Sequence, residues 1–375
     1  MICVAKLCYD CDFQVKLNAS PWELPLKGGD VIDMRTLQTR NRDQSDLWTW
    51  ESQAPYLPDD ECSVAMEFFR DVADVDAHPE RKGYDSCLRT AVGAMLCGDT
   101  GSKIMEVWHG RTGNNSKSTA ADILELCVPG CFTAISSSVL SQISNKGGGG
   151  PSPEKMQIVG KRVCVLGDTG KAICLDEENI KTITGGDLIS ARPCHGACIN
   201  FRATCKPLLI TNRSTTFDVQ QKAMKDRFYY FPFTRVFRKC KANAAKIDEY
   251  KTTHIGEFFT AFIRGAHDYA ENLELRTCPW LEDERARYIA SINPIGSFID
   301  ECCIKDVEEK EYSAILYERY KSWCALNGER YFSVKWFGMQ MTMLFGPTKS
   351  MRIRRSSTST STTLAKGYEG VKLVE

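Results

Sequence analysis

The sequence predicts an α/β fold around a parallel sheet, and three observations carry that prediction. Short unbroken apolar runs, IMEVWH at 104–109, KRVCVLGD at 161–168 and CKPLLITN at 205–212, alternate with helical or loop stretches, as strands buried on both faces and joined by crossovers do. Stretches with helical spacing of apolar residues flank this block on both sides. The chain of 375 residues, 43% hydrophobic and 26% charged, has the makeup of an ordinary globular protein of two or three packed units.

Taken in order, residues 1–60 alternate short apolar pieces with turn signals at Pro21, Pro25, Gly28-Gly29 and Pro55, which reads as a small strand-and-loop segment. From 61 to 100 the spacing of Met66, Phe69 and Val72, then of Leu88, Val92 and Met95, predicts two helices broken at His78-Pro79 and ended by CGDTGS. The α/β core is expected over 101–240, with the GGGGPSP stretch at 147–153 as a surface loop within it. Within a C-terminal region of 241–375, helical periodicity returns from Ile255 to Leu326, through Phe258, Phe262 and His267 and again through Ile315, Leu316, Tyr320 and Trp323, and the last fifty residues shorten again.

Forty-eight basic side chains balance forty-eight acidic ones, so a site for nucleic acid or another polyanion must be a local patch. Eighteen cysteines in so long a chain lack the density of a disulfide framework and read as reduced thiols. The opening MICVAKLCYDCDFQVKL carries an acidic pair, and no run approaches the ~18 apolar residues of a membrane span. An intracellular, soluble protein without a membrane partner is expected.

The sharpest motif is WHGRTGNNSKST, Trp108 to Thr119, placed between an apolar strand and the helical stretch ADILELC. In that context small residues let backbone N–H groups curl round a phosphate, a lysine reaches the β/γ oxygens, and the next hydroxyl ligates Mg²⁺. Lys117, Ser118 and Thr119 fit those roles, with Gly110, Gly113, Asn114, Asn115 and Ser116 forming the loop. The strict GxxxxGK[ST] spacing is not met: Arg111 stands where the first glycine belongs, Gly110 lies one residue upstream, and Ser116 replaces the last glycine. The alternative is a Gly/Asn/Ser turn with a solvated lysine. A metal-holding acid is expected on a neighbouring strand, and Asp168, ending KRVCVLGD, is placed for it; otherwise it starts the turn Asp168-Thr169-Gly170. Asn212, at the end of the third run, can orient a water or sense a γ-phosphate, or else make an Asx turn. Arg227, just before FYYFPF, can stabilise charge across a subunit interface, or stand as a solvated cation. Tyr229, Tyr230 and Phe231 read as core strand.

In this order the pieces resemble the superfamily III helicase domain of the primase-helicases of large DNA viruses, of poxvirus and satellite-phage type. LPLKGGDVIDMRTLQTR is similar to the segment ahead of that motor, GNNSKST to its phosphate loop, and PSPEKMQIVGKRVCVLGD to the run into its second motif. KTITGGDLISAR with FRATCK resembles its DNA-contacting motif, LLITN its sensor, KDRFYYFPF its arginine motif, and SFIDECC through LYERYKSWCALNG to GYEGVKL its terminal winged helix. The resemblance implies an AAA+-like three-layer core followed by a helical and winged-helix domain. It further implies ATP and Mg²⁺ held by Lys117, Ser118 and Asp168, Asn212 as γ-phosphate sensor, and Arg227 acting in trans. Lys181, Arg192 and Lys206 are the implied DNA-contacting cations. An ATP-driven translocase on single-stranded DNA, homo-hexameric and working at a viral replication site in host cytoplasm or nucleus, is the expectation. Nothing resembles the polymerising primase half that precedes the motor in longer relatives, which leaves two readings: a separate primase or polymerase as partner, or a shortened product. The competing readings are a non-hydrolysing DNA-binding remnant and a small-molecule kinase using the same loop.

Three smaller features complete the reading. Cys8 and Cys11 have the reach of half a zinc site but no second pair. Cys194, His195 and Cys198 are similar in kind. RIRRSSTSTSTT, 352–363, is either a phosphorylatable tail or the basic wing of a winged helix.

Overall fold

A computed structural model describes residues 13–136, 153–167, 173–192, 198–213, 215–217, 221–292, 294–327, 331–352 and 364–374. Asp168, the Cys8/Cys11 pair, Cys194-His195, most of the 147–153 stretch and 353–363 lie outside the described residues. The contacts divide the chain into two compact units, Met1–Arg285 and Ala286–Glu375.

After a single helical turn at Phe13–Lys16, the first unit forms an antiparallel sheet of β1 (Glu23–Pro25), β2 (Asp30–Asp33) and β3 (Gln38–Asn41). Gly28 and Gly29 make the turn between β1 and β2 at φ 102° and 99°, a region open to glycine because it has no Cβ. Helices α1 (Ser63–Ala73) and α2 (Tyr84–Ala94) follow, interrupted by a 3-10 turn at Pro79–Arg81 where the sequence predicts a break. The core sheet then runs through β4 (Met105–His109), α3 (Lys117–Cys127), β5 (Phe132–Ile135) and β6 (Val163–Leu166). Next come β7 (Ile173–Cys174), α4 (Glu177–Thr184), the hairpin β8 (Leu188–Ala191) and β9 (Ile199–Arg202), β10 (Lys206–Thr211), β11 (Thr215–Thr216) and β12 (Phe228–Pro232). Five of these strands form one wholly parallel sheet in the order β12-β4-β10-β6-β5. The crossovers α3 and α4 accompany it, as the unbroken apolar runs predict, and the expected parallel α/β core is present. β7 and β11 pair separately in parallel, and β8 and β9 pair antiparallel. Tyr230 and Phe231 are buried in β12, so the aromatic run is core strand.

Helices α5 (Lys241–Thr252) and α6 (Ile255–Asn272) belong to this unit as well. The division of contacts therefore falls at 285/286, within α7 (Pro279–Ser291), and not at 240/241 where the change of sequence texture set the end of the core. The reason is the seam between α2 and α6. A Cβ on Gly93 would stand 2.2 Å from Ala266 N, and one on Gly265 would stand 2.3 Å from Arg89 O. The two backbones touch there, and Phe258, Phe259 and Phe262 fill the same core as Phe68 and Phe69 of α1.

One cation ties the small N-terminal sheet to this core. Arg162, 1% exposed, donates through Nη1 to Leu96 O at 2.6 Å and through Nη2 to Ser20 O at 2.6 Å and to Glu23 O. Its guanidinium also lies 5.4 Å from the ring centres of both Trp48 and Trp50, a cation–π arrangement.

The second unit holds α8 (Pro294–Cys302), β13 (Cys303–Ile304), β14 (Lys310–Tyr312), α9 (Ser313–Asn327), α10 (Val334–Phe345), β15 (Lys349–Met351), β16 (Ala365–Glu369) and β17 (Lys372–Leu373). Its three-stranded antiparallel sheet has the order β14-β16-β15, and β13 pairs with β17. Phe298, Leu316, Tyr320, Phe337 and Met341 make its separate core. The order is helix, two short strands, two helices and three closing strands, of which β15 and β16 stand where a winged helix has its wing. Among the described residues no helix of the chain is long and apolar enough to cross a membrane.

Within β4, Glu106 is fully buried; Trp108 Nε1 donates to its Oε2 at 2.8 Å, and Oε1 has no partner among the described residues. Burial pushes this carboxyl from 4.5 up to about 8, against the opposing Trp108 hydrogen bond. Between those values the folded protein keeps a proton that the unfolded chain has released. The stability that the neutral acid contributes is thus complete below about 4.5 and is lost as pH rises through about 8. Glu106→Gln is expected to flatten the fall of the urea midpoint across that window; an unchanged slope would place the titration elsewhere.

Candidate functional site

The C-terminal tips of the parallel strands converge where the phosphate loop begins. Gly110 N donates to Thr211 O at 3.2 Å, joining the tips of β4 and β10, and Phe233 N donates to His109 O at 2.7 Å, joining those of β12 and β4. The loop is folded by its own side chains. Asn115, 4% exposed, donates through Nδ2 to Thr112 O at 2.7 Å and Phe233 O at 3.3 Å. Its Oδ1 accepts from Lys117 Nζ at 2.9 Å, and the same ammonium donates to Asn212 Oδ1 at 2.7 Å. Lys117, Asn115 and Asn212 are therefore one cluster.

The departures from the strict spacing have a structural account. Gly110 does not line the cleft. A Cβ there would lie 1.8 Å from Asn115 Nδ2 and 2.8 Å from Lys117 Nζ, so its place is to let the loop fold back on the strand. Ser116, standing where the pattern has glycine, adopts φ 64°, and Asn114 adopts φ 60°. Both occupy the left-handed region that costs a non-glycine residue energy and is held by surrounding contacts. Ser116 precedes α3 without a side-chain cap, so the helix presents N–H groups at Lys117 to Thr119 toward whatever sits before it.

A cleft of ≈ 380 Å³ opens beside this cluster, between the head of α3 and the tips of β6 and β10. Gly113, Asn115, Lys117, Ser118, Gly167 and Asn212 are among the residues around it. Loop conformation, lysine, exposed Ser118 and open helix end fit a polyphosphate. Beneath the loop, His109 Nδ1 lies 3.0 Å from Tyr230 Oη, and burial, helped by Lys117 and Arg111, lowers this imidazole to about 4. It is neutral at physiological pH.

The remaining candidates are placed as follows. Lys206 is corrected: it is 2% exposed, and its ammonium donates to Cys97 O at 2.7 Å and to Asp99 O and Oδ1 at 2.8 Å each. As first residue of a central strand it points into the protein and cannot meet a DNA backbone. Arg227 is 9% exposed; Nε donates to Thr184 Oγ1 at 3.0 Å and Nη1 to Ala223 O at 2.7 Å. It stands just before β12, on the sheet edge opposite Lys117, and links α4 to the strand. Lys181, half-buried in the last turn of α4, reaches Gln221 Oε1 and lies 3.7 Å from Glu177. Arg192 is exposed just past the end of β8. Sequence reasoning missed the loop-closing role of Asn115 and a second cleft against Phe237 to Cys240. Only the proximity of RVFRKC to the strand end could have signalled the latter.

No protein-family model matches the chain, and no curated protein matches it in sequence. Among solved structures, three of the NrS-1 C terminal region, including its A form apo structure, are similar at a TM-score of 0.48 and 9% identity. The match covers 94% of this chain and 83% of that one.

The strain at residue 116 is testable. Ser116→Gly is expected to leave the fold intact and raise stability by about 0.5–1 kcal/mol, whereas Ser116→Val lowers it by about 1–3 kcal/mol. Chemical denaturation of both variants measures this, and equal midpoints would contradict the left-handed assignment.

Proposed function

We propose that this chain is an ATP-hydrolysing motor that moves along single-stranded DNA, a helicase of the replication type, assembled as a homo-hexamer. The observation that carries the nucleotide part is the single ammonium of Lys117, held between Asn115 and Asn212 at the head of α3 and facing a cleft of triphosphate size. The translocase part is supported by the order of the motifs along the chain and by the hairpin β8–β9 inserted between α4 and β10.

In this reading Lys117 and the N–H groups of Lys117 to Thr119 bind the β- and γ-phosphates, and Asn212 orients the attacking water. Ser118 and Asp168 would hold Mg²⁺, which neutralises phosphate charge when bound. Arg192, leaving the hairpin strand, and Lys181 beside it are the proposed contacts to the DNA backbone. Arg227 is the proposed arginine acting on a neighbouring subunit, which requires its guanidinium to leave Thr184 and Ala223. A separate primase or polymerase is the proposed partner.

ATP hydrolysis with and without single-stranded DNA tests the reading: several-fold stimulation is expected. Silence would favour a DNA-binding remnant, and turnover that needs a metabolite would favour a kinase. Lys117→Ala should abolish ATP binding and turnover together. For the arginine, Arg227→Ala subunits titrated into unaltered protein should depress turnover more than in proportion to their share, since a trans arginine is worth roughly 10³–10⁵ in rate. Simple dilution would remove the trans role.

A further inference from the structure

The phosphate cleft has a second lobe on the other side of Lys117. It measures ≈ 350 Å³ and lies between the head of α3, the segment 237–240 and the first two turns of α5. Asn114, Asn115, Lys117 and Ser118 border both lobes, so a ligand gripped at Lys117 reaches either one. The two lobes differ in what faces them. Strand tips and Asn212 close the first, whereas the second has an apolar floor of Phe237, Ala244 and Ile247 and a rim carrying exposed Arg238 and Lys239.

Phe237 is held by contacts of its backbone and its ring. Its N–H donates to Asn114 O at 2.7 Å, directly coupling it to the phosphate loop. The Arg235 guanidinium lies 5.2 Å from its ring centre and is itself anchored to Asp71 at 3.0 Å. Flat apolar surface held rigidly beside a phosphate-binding loop is what an aromatic base needs to bind by its face.

We infer that this lobe receives the base and ribose of the nucleoside triphosphate, with Phe237 as its apolar platform and Arg238 and Lys239 flanking the phosphate chain. The inference rests on the nucleotide reading above. A triphosphate has unlike ends: with its terminal phosphate beside Asn212 and the tip of β6, the nucleoside leaves over the head of α3, toward α5. Cys240, exposed at the rim of the lobe, reports on occupancy without any substitution.

Two ligands separate the inference from the reading it rests on: ATP, and inorganic tripolyphosphate, which has no nucleoside. Alkylation of Cys240 by iodoacetamide, followed by peptide mass spectrometry, should slow about tenfold under saturating ATP and change little under tripolyphosphate. Ala244→Trp, which fills the lobe, should weaken ATP about 10- to 100-fold while leaving tripolyphosphate affinity unchanged. Retained tripolyphosphate binding shows that the variant is folded, and the alkylation of the unaltered chain decides if it is not. ATP that saturates the protein while Cys240 reacts at its unliganded rate would overturn the inference and leave the nucleotide reading standing. Failure of the unaltered protein to bind either ligand would overturn both.

Discussion

The Lys117 ammonium lies 2.9 Å from one asparagine oxygen and 2.7 Å from another, and those asparagines come from the loop after β4 and the tip of β10. A buried ammonium must be met by acceptors, because its desolvation is otherwise prohibitive. The requirement propagates. Asn115 can offer its oxygen only because its amide nitrogen is taken by Thr112 O and Phe233 O, and it can sit there only because residue 110 has no Cβ. Phe233 in turn is pinned to His109 O. A single charge thus sets the relative positions of three strand tips, and the shape of the cleft follows from them.

Much of the core could be read from the sequence because parallel strands buried on both faces leave continuous apolar runs, and IMEVWH, KRVCVLGD and CKPLLITN each became a strand of one sheet. Lys117 and Asn212 were legible for the same reason: each ends or follows such a run, and strand tips of a parallel sheet share an edge. Lys206 was not legible. A charge opening an apolar run looks like a solvated end, and only the fold shows Asp99 and two carbonyls waiting for it. Arg162 and Arg227 were hidden in the same way, since partners of buried cations lie far off in sequence: Ser20 and Leu96 for one, Thr184 for the other.

Charges inside this protein consequently divide by the kind of partner they meet. Arg162 is satisfied by backbone carbonyls and two indole faces, Lys206 by a carboxylate and carbonyls, Lys117 by side-chain amides. Carbonyls of a folded backbone move only with the fold, whereas an amide on a strand tip turns about its own side-chain torsions. Of the three cations, Lys117 is thus the one whose surroundings can be rearranged at least cost.

The backbone contact between α2 and α6 at Gly93 and Gly265 bears on where this protein can be cut. The helix ahead of β4 and the helix beyond the last core strand are pressed together without an intervening side-chain layer. A fragment ending at 240 would strip one partner away and lay bare the other's small-residue groove together with the phenylalanine cluster beside it. The first compact unit is therefore not excisable at 240, and any shuffling of domains that preserves it must carry the chain through to 285.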